Sequence, residues 1–401
     1  MSAQPLPRPG VLIADLLERI ATHGPTGLAD AVSGTLTSLL GAAEVAIHLV
    51  TYEETELVPV GSIESARRRR PVAVAGTEAG RAYIGGVGVT DAAHPCTRWE
   101  PITYAGERLG VLFVRLPEGG VIDADLAAVL RGVAPAVAQA LAAARPLRDD
   151  LELARRSQEM ASAAELLQAV LPPAALTTAR FSLAALVEPV YSAGGDAYDH
   201  AVDADVLHLG VLDAMGHGYG AAHASTVAIT AYRSHRRQGF HLPENVRATD
   251  ALLDTQGLGG RFVTAWFAEF DVATGRIEWV SAGHPGALVV ALDGGVRTLE
   301  VEPVPPLGTG LVLTDPDVGV DYLEPGDLLV AFTDGLTEAR GLDGDLLGVD
   351  GLADVLATAA REQRTATEIV RRVRADLLAR EDAWLNDDAT AVFVRWNGPP
   401  V

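Results

Sequence analysis

Two stretches in the second half of the chain constrain the fold most. "WFAEFDVATGRIEWV" (266–280) and "GALVVALDGGVRTLEV" (286–301) each read as two strand-length apolar segments folded back at glycine, at Gly275 and at Gly294-Gly295. Such hairpins require largely antiparallel sheets. Further strands are predicted at "FSLAALVEP", "VLHLGVLD", "FVTAWFAEFD", "RIEWVSAG", "DLLVAFTD" and "ATAVFVRW". Helices are predicted at "GAAHASTVAITAYRSHRRQ", "PENVRATDALLDTQG", "GLADVLATAA" and "TATEIVRRVRADLLAR". The pattern is α+β, with antiparallel sheets flanked by helices, and not a doubly wound parallel sheet.

Composition narrows the chemistry. All 31 basic residues are Arg, against 53 acidic ones, for a net charge of −22. A chain without Lys has no Schiff-base lysine, phosphate-loop lysine or Ser-Lys dyad. No HExxH, GxSxG or convincing GxGxxG is present either. The single cysteine, Cys96, excludes an internal disulfide and a multi-cysteine zinc site. The acidic balance argues against nucleic-acid and membrane-surface partners. "ARRRR" (66–70) runs against that balance and reads as an isolated, solvated loop. No charge-free stretch of bilayer length and no signal-peptide core is found, so a cytoplasmic location is expected.

A length of 401 residues predicts two domains. Residues 10–145 carry helices at "VLIADLLERIATHG", "GLADAVSGTLTSLLG" and "DADLAAVLRGVAPAVAQALAAAR", with strands between them and a hairpin turning near Gly106. In element order, and in "WEPITYAGERLGVLFVRL" followed by the alanine-rich helix, this α/β segment resembles a GAF domain. The resemblance implies a sensor or dimerisation module that takes a small ligand or a protein signal. Residues 146–173 place Leu153, Ser157, Met160, Ala164, Leu167 and Leu171 at alternating spacings of four and three. That stripe predicts one connecting helix, either packed on its own domain or, the preferred reading, paired with its copy in a homodimer.

Residues 174–398 hold four acidic motifs at turns or strand ends: "SAGGDAYDH" with Asp196 and Asp199, "VLDAMGHG" with Asp213, "AFTDGLTEAR" with Asp334 and Glu338, and "NDDATAVFV" with Asp387 and Asp388. Taken singly, each has a structural reading, such as a helix cap for Asp213 or a common turn for Asp334-Gly335. Taken together, they gather carboxylates at one end of a sheet sandwich. Like charges so placed repel, and divalent cations relieve the repulsion. Oxygen-only ligands suit Mg²⁺ or Mn²⁺.

"VYSAGGDAYDH", "LGVLDAMGHGYGAA", "RFVTAWFAEFDVATGRIEWVSAGHPGALVV", "LLVAFTDGLTEAR" and "NDDATAVFVRW" follow in order over about 175–397. In these motifs the segment resembles the SpoIIE-type bacterial branch of the PP2C (PPM) serine/threonine phosphatases. The whole chain is similar to GAF-linked phosphatases of the RsbU kind, which act in sigma-factor partner switching. The resemblance implies an α-β-β-α sandwich with two Mn²⁺ or Mg²⁺ ions. Asp213 would bridge them, with the backbone carbonyl of Ala214, Asp196, Asp334 and Asp387 as further ligands and Asp388 as neighbour or substitute for Asp387. Asp213 and Asp334 would hold the ions that activate the attacking water.

His217 is a candidate general acid, but it stands four residues beyond Asp213, and a structural loop role is favoured. His284, Thr264 and Glu338 fit the motifs as supporting residues. No phosphate-binding Arg can be assigned. The implied substrate is a phosphoserine or phosphothreonine protein of the anti-sigma-factor-antagonist type. The competing expectation is a non-catalytic sensory dimer whose phosphatase fold only binds partner proteins.

Overall fold

A computed structural model describes residues 8–61, 70–192, 194–339, 345–362, 365–380 and 388–399. Asp387 and most of the "ARRRR" run lie outside the described residues. The chain forms two compact units, Met1–Glu159 and Met160–Val401.

The first unit is built on an antiparallel sheet of β1 (Glu44–Val50), β2 (Glu56–Val60), β3 (Val72–Ala73), β4 (Val89–Thr90), β5 (Thr97–Tyr104) and β6 (Glu107–Arg115). Their order is β3-β2-β1-β6-β5-β4. Helices Pro9–His23, Leu28–Leu40 and Ala124–Ala144 share one core with Val45, Ile47, Leu49, Leu112 and Val114. The helix Glu78–Gly85, which the sequence patterns did not reveal, packs Ala79, Ala82 and Tyr83 into a smaller core with Val50, Leu57 and Val111. Ala124–Leu147 is long and apolar enough to cross a membrane by length and composition, although Arg131 interrupts it. Here Leu126, Leu130, Val133, Val137 and Leu141 of that stretch are spent on the core.

The single helix predicted over 146–173 is corrected to two short ones, Asp149–Leu153 and Ser162–Gln168. The stripe is broken, with Leu153 and Ser157 exposed and Ala164 and Leu167 buried, and the segment's buried residues go to two cores. Leu151 is buried in the first unit, and Ala163 and Leu167 are buried in the second. The backbone between them bonds elsewhere: the Arg155 carbonyl accepts from the Tyr52 N–H, and the Ala161 N–H donates to the Tyr191 carbonyl. Leu153 is left exposed.

The second unit stacks two antiparallel sheets. One contains β9 (Ala197–Asp203), β10 (Val206–Ala214), β11 (Val263–Asp271), β12 (Arg276–Ala282) and β15 (Gly319–Tyr322), in the order β15-β12-β11-β10-β9. The other contains β7 (Ala175–Thr177), β8 (Phe181–Glu188), β13 (Ala287–Val290), β14 (Val296–Leu299), β16 (Leu328–Phe332) and β17 (Ala389–Trp396), in the order β14-β13-β16-β17-β8-β7. Leu209, Val211, Trp266, Phe270 and Trp279 of the first sheet share a core with Leu183, Val289, Leu329, Val392 and Trp396 of the second.

The outer faces are covered by helices. Tyr219–Arg237 and Leu242–Thr255 pack on Leu212, Phe267 and Val280. Gly348–Arg361 and Ala366–Arg380 pack on Leu186, Val330 and Phe393. The architecture is therefore the α-β-β-α sandwich that the family resemblance implies, and both hairpins turn where glycine predicted.

Candidate metal and active site

Side chains alternate faces along a strand. In β10, Leu207, Leu209 and Val211 point between the sheets, while Leu212 and Ala214 face the helices. The same alternation puts Asp213 on the inner side, at the strand's end. Its cross-strand partner is Thr264, in register with inward-facing Trp266, Ala268 and Phe270. Asp196 is in register with inward-facing Tyr198 of β9. Thr333 follows Leu329 and Ala331 of β16 in the same way, and Asp388 and Thr390 precede Val392 and Val394 of β17. Six polar residues from five motifs thus occupy the positions that hold apolar side chains deeper in the sandwich.

The motifs are tied together by hydrogen bonds. The Thr333 hydroxyl donates to Asp196 Oδ2, and both residues are buried. Thr333 Oγ1 also accepts from the Thr390 N–H at 2.9 Å, so the hydroxyl is used in both directions. Asp388 Oδ2 accepts from the N–H groups of Gly194 and Gly195, at 2.6 and 2.8 Å. The Ala214 N–H donates to the Gly195 carbonyl at 3.3 Å, and Ser225 donates to the same oxygen.

Glycine is required where these loops meet. A Cβ on Gly195 would lie 2.8 Å from the Ala214 carbonyl oxygen, and one on Gly335 only 2.0 Å from the Asp388 carbonyl oxygen. Any side chain there would force the acidic motifs apart.

Asp334 is exposed and opens the short helix Asp334–Glu338. Asp213 does not cap the following helix, which begins at Tyr219 with Gly218 at its N-cap and no side-chain cap. His217 is exposed in the intervening loop. Asp199, the second acid of its motif, is on the helix-facing side of β9 and is neutralised. It accepts from Arg233 at 2.6 and 2.9 Å and from Arg236 at 3.1 Å, fastening the helix Tyr219–Arg237 to the sheet.

His284 is almost fully buried. Its Nδ1 lies 3.0 Å from Thr264 Oγ1, and its Nε2 lies 3.1 Å from the Phe332 carbonyl. Burial pushes its pKa down to about 4.

The donors supplied by Asp196, Asp213, Asp334, Asp388 and the Ala214 carbonyl are all oxygen, the chemistry that hard divalent cations take. They converge as motifs rather than as a closed ligand set. Among the described residues, no group of three or more His, Cys, Asp or Glu side chains is placed to hold a metal ion. Sequence reasoning passed over Thr333, Thr390 and Ser225. For the two threonines the signal was available, because each is in register with the inward apolar residues of its strand.

Residues 203–397 match the family described as Stage II sporulation protein E (SpoIIE). That match lies within the C-terminal unit. Over 224 residues the chain is 27% identical to the phosphoserine phosphatase RsbU of Bacillus subtilis, covering 53% of this chain and 62% of that protein. Over 149 residues it is 30% identical to the phosphoserine phosphatase RsbP of the same organism, covering 36% of each. The solved structure of the RsbU and RsbW domains of Rv1364c from Mycobacterium tuberculosis is 29% identical, with a TM-score of 0.49 over 55% of this chain and 61% of that one. The chain thus spans less than two thirds of the length of these curated relatives.

Proposed function

We propose that the C-terminal unit is a metal-dependent phosphatase that hydrolyses phosphoserine or phosphothreonine on a protein. The observation that carries this reading is the register. Asp196, Asp213 and Asp388 come from three distant motifs, and each stands at an inward position at the same end of the sandwich. Asp213 is the first of the residues that would hold Mn²⁺ or Mg²⁺ ions there. Asp196, Asp334 and the Ala214 carbonyl complete the set, with Asp387 or Asp388. Bound there, the ions would supply positive charge for the phosphoryl oxygens and an acidified water for attack. The chain's own part is to hold those oxygens in place: Thr333 orients Asp196, and the Gly194 and Gly195 N–H groups orient Asp388. No covalent enzyme intermediate is needed. The names of RsbU and RsbP, both phosphoserine phosphatases, support the choice of substrate class.

The partner we assign is a phosphorylated anti-sigma-factor antagonist in the cytoplasm. The first unit is assigned as a GAF-like sensor, open to a small ligand or a protein signal and acting in a homodimer. Mn²⁺-dependent release of phosphate from a phosphoserine peptide and from an aryl phosphate tests the activity. Hydrolysis of both that disappears in Asp213→Asn and Asp334→Asn is the expected result. Equal activity in those variants sinks the assignment. Hydrolysis of the aryl phosphate alone redirects it to small-molecule substrates. A wild-type protein inert towards both favours a binding-only role.

A further inference from the structure

His284 joins the two sheets at the end where the acidic motifs meet. It follows β12, and its backbone is held by Ser281, whose hydroxyl donates to the His284 carbonyl at 2.7 Å and accepts from the His284 N–H at 3.2 Å. The ring reaches one residue of each sheet. The Phe332 carbonyl can only accept, so Nε2 carries the hydrogen and donates to it. Nδ1 is then the acceptor, and the Thr264 hydroxyl donates to it at 3.0 Å. Thr264 Oγ1 is also 3.4 Å from the Asp213 carbonyl, but its one proton is committed to the shorter contact.

The two residues it grips are significant. Thr264 stands directly across the ladder from Asp213. Phe332 immediately precedes Thr333, which holds Asp196, and Asp334 follows. One imidazole therefore sets the distance between the strand pair carrying Asp213 and the strand end carrying Asp334. Both ring nitrogens are occupied and the residue is 7% exposed, so it does not reach a substrate.

We infer that His284 is a positioning residue that fixes the separation of the Asp213 and Asp334 motifs, and with it the affinity of the site for divalent cations. This rests on reading the site as a metal-dependent phosphatase. It assigns the turn "SAGHPG" a role in metal affinity rather than in proton transfer.

The test measures Mn²⁺ binding to the full chain by calorimetry, with hydrolysis of an aryl phosphate at saturating Mn²⁺ alongside. His284→Leu removes both bonds. Thr264→Val removes only the hydroxyl and keeps the side-chain shape. Each is expected to weaken Mn²⁺ binding roughly 10- to 100-fold, the range for groups that orient metal ligands. Excess Mn²⁺ should restore much of kcat, and the double variant should be no weaker than the worse single one. His284→Gln, which can still donate towards Phe332, should fall between wild type and His284→Leu. Folded Thr264→Val protein with unchanged Mn²⁺ affinity overturns the inference, even if its melting temperature is lower. Wild-type protein that takes up no Mn²⁺ overturns the phosphatase reading, and this inference with it.

Discussion

The two ends of the sandwich use the same strand positions for opposite purposes. β17 runs from one end to the other, and its inward residues are Thr390, Val392, Val394 and Trp396, with Asp388 just before the strand. At the Trp396 end the space is filled by apolar side chains. The indole packs edge-on to Phe270, with centroids 6.0 Å apart, and donates to the Val272 carbonyl at 3.0 Å. At the Asp388 end the sheets are joined by polar links: Asp388 to Gly194 and Gly195, Thr333 to Asp196, and His284 to Thr264 and Phe332. Apolar packing is non-directional and tolerant, so it suits an end that only has to stay closed. Polar links fix distances and orientations, which a site for cations requires. One end supplies stability, and the other spends some of it on buried polar groups.

Substitutions should separate the two roles. The largest effect is expected from Asp213→Asn, which should lower phosphatase activity by about a thousandfold, on the scale of losing a main electrostatic contact. Its urea midpoint should stay near that of the wild type, because the variant relieves repulsion without opening a cavity. Trp396→Ala should do the reverse. It should cost about 3 to 5 kcal/mol of unfolding free energy, while the protein that remains folded keeps its turnover. A variant at either end that lost both properties equally would dissolve the distinction.

Acid sharpens the comparison at His284. Its folded pKa, about 4, lies below the ordinary value of 6.5, so as pH falls the unfolded chain takes up the proton first. The stability it contributes is complete above about pH 6.5 and is lost progressively towards pH 4. Between pH 7.5 and pH 5 the loss should be about 2 kcal/mol. Urea unfolding of wild type and His284→Gln at both pH values isolates it: the variant should show the shallower fall, and parallel slopes would refute this origin. The smallest effect belongs to Arg180→Ala, which removes a partly exposed ion pair with Asp205 near the Trp396 end. It should cost under about 1 kcal/mol and leave activity unchanged.

Much of the second unit is legible in the sequence because its signals are local. Alternation marks the strands, Gly275 and Gly294 mark the hairpins, and carboxylates directly after apolar runs mark the candidate site. The same local logic failed over 146–173. The spacing there is that of one amphipathic helix, but each half finds its burial in a different unit, and the backbone between them bonds outside any helix. It also treated Asp196 and Asp199 alike. The strand's two faces make one a residue of the candidate site and the other a partner for Arg233 and Arg236.

By itself, the sequence determined where the strands and hairpin turns of the second unit lie, because apolar alternation and glycine placement are local signals. It did not determine which inward residues meet. Thr333 reaches Asp196 across 137 positions, and Asp388 reaches Gly194 across 194. Those distances are set by how two sheets stack, and no spacing along the chain encodes them. His284 shows the limit most clearly. In sequence it is a turn histidine after a strand, and only the stacking puts one ring nitrogen against each sheet.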